Sequence, residues 1–374
     1  MTQPWRSRDS FRLFSRASSL SLLAATILAA LLVVLPGLAR ASDVLQLTGD
    51  EANALFDRAK TAVVQVRSGD QGFILAGSGF FVDDRGTVLT SSTILGDNNS
   101  ARVVISGVEM DAKILGNDPR SGLAMLRIPY GASPSLPLAR SSNLETGDGV
   151  VAIGYPLNLP VASSQGPVSG FEASYLTRLD GDLSPKGSMA AVERFATTHI
   201  HANIAISPGQ VGGPLLNSRG EVVGLVATSP DDGRSIYALP VEAMAKIMAD
   251  FNQYGRAKYG WVGVNVAEVP DTGHDGRTVR VVQAVAGTPA SESGIRSGDT
   301  VMRIDSREIY RPADVLDASF FSQVGSTMSV VVRRDEKLYD YRFAVIERPQ
   351  NSAAVTAPVA GNPTLVNHVA AGPR

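Results

Sequence analysis

Short runs of β-favouring residues, each closed by a turn, dominate the chain from Thr61 to Ala227. Ala62–Val66, Gly79–Val82, Thr87–Thr90, Ala101–Ile105, Ala124–Ile128, Gly149–Ile153 and Val222–Ala227 are the clearest of them. Asp83-Asp84-Arg85-Gly86 sits between two such runs and reads as a hairpin turn. Many short strands separated by Gly, Asn and Asp predict a barrel or sandwich, in which the strands bury their faces against one another. The 36 glycines and 21 prolines in 374 residues are high for a helical bundle and natural for turn-rich β structure. Hydrophobic residues at 44% and charged residues at 19% supply real cores and exclude global disorder, and the length suits about two domains.

Two helices punctuate this β-rich body. Thr48-Gly49-Asp50-Glu51 has capping-box spacing and predicts a short helix over 51–60. Pro240 precedes Val241, Met244, Ile247, Met248 and Phe251, which recur at helical spacing. A second compact unit is expected from about Tyr259 to Ile346. Beyond Glu347 the chain is Ala, Pro, Asn, Val and Gly without periodicity, the composition of a disordered tail. The expected divisions are 1–41, 42–60, 61–255, 256–346 and 347–374.

The first 41 residues have the layout of an export signal. Arginines run to Arg16, Leu20–Leu35 is largely apolar, Pro36-Gly37 breaks it, and Ala39-Arg40-Ala41 has the small-x-small form of a cleavage site. The uncharged stretch is also long enough to cross a bilayer, so an uncleaved inner-membrane anchor stays open as the alternative. Either way the rest of the chain leaves the cytoplasm for the periplasm or the extracellular space. Without this segment 29 basic and 35 acidic residues remain, too little positive charge to clamp a phosphate backbone, so nucleic acid is excluded as a partner. A membrane is a partner only if the segment is retained.

Chemistry is limited by residue type. There is no cysteine, hence no disulfide, thiolate zinc site or cysteine nucleophile. Four histidines exist: His199, His201, His274 and His368. His199 and His201 alternate on one strand, a spacing a metal pair would need, but no third ligand is evident and a hydrogen-bonded pair beside a sheet is the simpler reading. A dyad of His201 with Ser207 is the only rebuilt catalytic site the sequence offers. No metal and no cofactor are expected.

Several motifs in order carry a family resemblance. Ala76-Gly77-Ser78-Gly79-Phe80-Phe81-Val82, Asp118-Pro119-Arg120-Ser121, Pro208-Gly209-Gln210-Val211-Gly212-Gly213-Pro214 and Ala238-Leu239-Pro240 followed by a helix resemble the trypsin-like double β-barrel of the HtrA (Deg) family of exported serine proteases. Trp261-Val262-Gly263-Val264, Pro289-Ala290, Gly294-Ile295, Gly298-Asp299 and Ile304 look like a PDZ domain, a small β-barrel with helices, which follows the barrels in that family. The resemblance therefore implies a mainly β fold.

Carried over residue by residue, the resemblance puts the family's general-base histidine on Thr93, its orienting aspartate on Gly122 and its nucleophilic serine on Val211. A threonine hydroxyl cannot take up a proton near pH 7, glycine cannot hold a tautomer, and valine has no lone pair. Loss of a comparable triad costs on the order of a million-fold in turnover. Gly209, Gly212 and Gly213 persist, with Gly209 and Val211 at the remnant oxyanion turn; the glycines also have a purely structural use in a tight turn. The resemblance implies a pseudoprotease that binds peptides, unfolded segments or C-terminal carboxylates through Gly260, Trp261, Val262, Gly263 and Val264. Arg311–Asp314 opens the groove helix, with Val315, Leu316 or Phe320 as candidates for its side pocket. The expected role is scaffold, holdase or regulator in protein quality control, as a homo-oligomer or a mixed oligomer with an active relative. An unconventional or slow serine endopeptidase and a purely structural module are the rival readings.

Overall fold

A computed structural model describes residues 49–69, 75–178, 190–230, 233–270 and 276–349. The export-signal segment, Thr48, His274, His368 and the tail from residue 350 lie outside them. The first helix, α1 (Gly49–Ala59), starts two residues earlier than the capping pattern predicts and ends one residue sooner, passing into a 3-10 turn over Lys60–Ala62. It is part of the barrel unit, because Leu55 and Ala59 are buried in the main core.

Two closed six-stranded barrels follow, as expected. The first is built from β1 (Val63–Ser68), β2 (Leu75–Phe81), β3 (Thr87–Ser91), β4 (Ala101–Ile105), β5 (Val108–Asp118) and β6 (Leu123–Arg127) in the order β1-β2-β3-β6-β5-β4. A single helical turn, α2 (Ser92–Leu95), leaves the end of β3. The second barrel has β7 (Gly149–Gly154), β8 (Ala162–Arg178), β9 (Ala190–Ala202), β10 (Pro214–Leu216), β11 (Val222–Thr228) and β12 (Ile236–Pro240) in the order β10-β11-β12-β9-β8-β7. Closure removes sheet edges, which is how a chain of short strands avoids exposing backbone donors. Each barrel has its own apolar interior, around Val66, Phe81 and Leu126 in the first and Ile200, Leu215 and Val226 in the second.

Helix α3 (Val241–Tyr254) begins after Pro240 and ends at Gly255, whose φ of 70° and amide bond to Phe251 O close it. Its stripe of Val241, Met244, Ile247 and Phe251 is buried, as the spacing predicted. Met244, Ile247 and Phe251 join Leu55, Phe80 and Leu225 in the core between the two barrels.

The second unit contains β13 (Gly260–Trp261), β14 (Val264–Pro270), β15 (Arg277–Ala284), α4 (Pro289–Ser293), β16 (Thr300–Ile304), β17 (Arg307–Glu308), α5 (Pro312–Phe321), β18 (Thr327–Arg334), β19 (Lys337–Ala344) and β20 (Ile346–Glu347). β13 pairs with β20, so the two ends of the unit are stitched together. The main sheet runs β14-β15-β16-β18-β19, leaving β14 at an edge. Val279, Val281, Val301, Val330 and Val332 fill its core. This unit is not an isolated bead, since Phe320 of α5 belongs to the core of the barrels. That corrects Phe320 as a pocket candidate: it is 2% exposed and packs edge-on against Phe321 and tilted against Tyr259.

Candidate functional site

The three segments that carry Thr93, Gly122 and Val211 meet in the seam between the barrels. The Ser92 amide donates to Gly122 O at 2.9 Å, which ties the start of α2 to the turn between β5 and β6. Ser91 Oγ donates to Ala227 O at 3.0 Å and lies 2.8 Å from Thr93 Oγ1. A Cβ added to Gly212 would lie 2.9 Å from Ser91 N, so the turn after Val211 abuts the end of β3. Thr93 is exposed, while Gly122 and Val211 are half-buried. The side chains at these positions are a hydroxyl, a hydrogen atom and an isopropyl group.

Around Val211 the backbone is held tightly. Leu157 N donates to Pro208 O at 2.7 Å, Ser78 Oγ to Gly209 O at 2.7 Å, and Ser78 N to Val211 O at 2.9 Å. Ser78 Oγ in turn accepts from Tyr155 N at 2.8 Å. Gly209 and Gly212 have φ of 97° and 88°, values open to glycine at little cost. With the carbonyls of Pro208, Gly209 and Val211 engaged, the amides of Gly209 and Val211 are left without an acceptor among the described residues. The turn thus carries two unpaired amides and, at position 211, a side chain with no nucleophilic atom.

The histidines do not gather at this seam. His199 is fully buried in β9, stacked on Phe195 with ring centroids 3.8 Å apart, and its Nδ1 lies 2.9 Å from Thr197 O. Nε2 is buried without a hydrogen-bond partner among the described residues. Burial pushes its pKa down to about 4, and the backbone of Thr197 and of nearby Ser121 counters this only in part. His201 stacks flat on Tyr237 at 4.5 Å. Ser207 donates its amide to the Gln210 side chain, and no hydrogen bond joins it to His201 among the described residues. No group of three or more His, Asp or Glu side chains placed to hold a metal occurs among the described residues.

At the start of the second unit, Gly260 and Trp261 are paired with Glu347 and Ile346. The next two carbonyls are turned inward: Ala290 N donates to Val262 O at 3.1 Å and Val285 N to Gly263 O at 2.8 Å. The Val262 and Gly263 amides have no acceptor among the described residues. Val264 then opens β14, paired with β15 on one side and unpaired along the other. Val315 and Ala318 of α5 pack into the same core as Val262 and Val264. Two free amides beside an open strand edge and a helix can take a peptide end as an added strand. The predicted opening of α5 holds, with the Asp314 carboxylate accepting from the Tyr310 and Arg311 amides at 2.9 and 3.0 Å.

Sequence reasoning missed the polar ties between the units. Tyr259 is partly buried and its hydroxyl donates to Asp118, with Arg120 4.6 Å from its ring centroid and Lys246 5.1 Å. Burial and the Asp118 charge both raise the Tyr259 pKa, so it stays a neutral donor. Asp317 of α5 reaches Thr197 and Thr198 of β9. A charged residue at helical spacing reads as a solvated face, so no signal in the sequence singled these out.

The fold joins a double-barrel unit to a smaller unit built on a β-sheet with two helices. The trypsin-like peptidase domain family matches residues 77–225 and the PDZ domain family matches residues 260–345. The chain is HtrA-like: a trypsin-fold unit followed by one PDZ domain. A protein of Hahella chejuensis described as "Probable periplasmic serine endoprotease DegP-like" is 30% identical over 314 residues, covering 81% of this chain and 63% of that protein. One of Pseudomonas fulva with the same description is 30% identical over 250 residues, 64% of this chain and 49% of its own length. The chain thus spans less than two thirds of these relatives. Among solved structures, the HtrA-type protease AlgW with tripeptide shares the fold with a TM-score of 0.64 at 24% identity, over 80% of this chain and 97% of that one. The serine endoprotease from Yersinia pestis does so with a TM-score of 0.58 at 24% identity, over 79% and 98%.

Proposed function

We propose that this chain is an exported HtrA-like pseudoprotease that captures peptides or protein C-termini on its PDZ domain, and that the barrels serve it as a scaffold. The observation that carries this reading is the pairing of two intact backbone turns with one missing set of side chains. Val262 and Gly263 offer free amides beside the open edge of β14. The seam of the barrels offers only Thr93, Gly122 and Val211 where a base, an orienting acid and a nucleophile would have to stand. The periplasmic description of relatives supports a periplasmic location. Peptide complexes of related structures support the ligand class. Its role is then in protein quality control, as a holdase or regulator assembled with itself or with an active relative.

The test is one peptide library offered to the purified protein in free-carboxylate and amidated form, with binding and cleavage both recorded. Free-carboxylate peptides are expected to bind more tightly, with no cleavage. Sustained cleavage lost on His201→Ala or Ser207→Ala would establish the rival slow protease. Equal binding of both end groups, or none, would leave the purely structural module.

A further inference from the structure

We infer that the second barrel is itself part of the peptide-binding machinery: Thr197 and Thr198 of β9, acting through Asp317, position the groove helix α5 and so set the affinity of the capture turn. This rests on the peptide-capture reading above. Asp317 lies on the side of α5 that faces the barrel and is 8% exposed. Its carboxylate accepts from Thr197 Oγ1 at 2.7 Å, Thr198 N at 2.8 Å and Thr198 Oγ1 at 2.9 Å, with Arg307 Nη1 3.6 Å away. A buried carboxylate is stable only where donors replace its water, and most of these donors belong to the other domain.

The same helix holds the capture turn. Ser319 Oγ, two positions beyond Asp317, donates to Gly260 O at 2.7 Å. The approach is close: a Cβ on Gly260 would fall 2.7 Å from Ser319 O and 3.0 Å from Ser322 O. Gly260 leads directly into Val262 and Gly263, whose amides are free. At its start α5 is tied again to the barrel, where Arg311 Nη1 donates to Phe171 O at 3.3 Å. Near its end Phe320 is packed into the barrel core. A ten-residue helix fixed to β8, β9 and the core has one seating against β14. A peptide laid between them must be accepted by that seating, so removing the donors on β9 lets α5 drift and weakens the ligand without touching it. Thr197 and Thr198 are positioning residues in this scheme.

The experiment uses the full chain and a fluorescein-labelled peptide ending in valine with a free carboxylate. Replacing Thr197→Val and Thr198→Val together removes both hydroxyl donors and keeps the branched shape. Affinity is expected to fall about tenfold, the size of losing net hydrogen bonds to a charged group. The pair Thr197→Ser with Thr198→Ser keeps the hydroxyls and is expected to bind like wild type, and Asp317→Asn is expected to bind weakly. Hydrogen exchange adds a readout that serves even if the valine pair folds poorly: peptide should slow exchange at the amides of Thr198 and His199 in the wild-type chain. Unchanged affinity in the folded valine pair, or peptide binding without protection at β9, overturns the inference. A wild-type chain that binds no free-carboxylate peptide fails at the earlier reading and takes this one with it.

Discussion

Gly122 stands against Ala227 so closely that a Cβ at 122 would lie 3.3 Å from the alanine Cβ. Its φ is 79°, in the left-handed region, where an aspartate costs more than a glycine. The carboxylate that the family resemblance expects here therefore has no ready place. Gly122→Asp should lower unfolding free energy by about 1–2 kcal/mol, the usual penalty for a side chain in that conformation. Urea denaturation of the single variant checks this. Unchanged stability would mean that the turn relaxes freely and can seat a carboxylate at this position.

Gly263 is the corresponding point in the turn proposed for peptide capture. Its φ is 84°, and a Cβ there would fall 2.2 Å from Thr288 Oγ1, which is itself bonded to Val285 O at 2.6 Å. Gly263→Ala must push the turn away from α4 and misdirect the two free amides. The expected result is a loss of at least about tenfold in affinity for free-carboxylate peptides, with barrel stability untouched. Calorimetric titration on the full chain measures it. Undiminished binding would place peptide capture elsewhere.

The barrels were legible because their signal is local. Alternating short runs and Gly or Asp turns fix strands such as Thr87–Ser91 wherever the rest of the chain goes. Thr93, Gly122 and Val211 were singled out only through the order of motifs, and the structure brings their segments together. The ties between the units were not legible. Asp317 has the look of an exposed helix residue until β9 is laid against it, and Tyr259 sits in a linker whose partner, Asp118, is far away in sequence. Phe320 misled for the same reason, since helical spacing says that a face is buried and not what buries it.

Tyr259→Phe tests whether that linker is a structural joint. The hydroxyl donates to an Asp118 carboxylate that is 9% exposed and otherwise accepts from Ser121 N at 3.1 Å. Removing it leaves a buried charge with fewer donors, which should cost about 1–3 kcal/mol. Asp118→Asn in the same background should lessen the added loss, because a neutral amide needs the donor less. A double-mutant cycle by thermal denaturation reads the coupling. Strict additivity would reduce the Tyr259–Asp118 contact to coincidence.

His199 gives the chain an acid limit whose sign can be worked out. In the fold its pKa is about 4, against 6.5 when exposed, because burial disfavours the cation. Between those values the unfolded chain binds the proton and the folded chain does not, so stability rises with pH across the window. The full contribution is present above pH 6.5 and is lost as pH falls through 4. At pH 5 the loss is about 2 kcal/mol, from the linkage relation applied to that shift. Its location gives the loss a direction, since Nδ1 lies at 2.9 Å from Thr197 O on the strand that carries the clamp to α5. Urea midpoints at pH 7 and pH 5 should therefore diverge in the wild type and converge in His199→Gln, where nothing at that position titrates. Equal pH slopes in the two proteins would assign acid sensitivity to other groups.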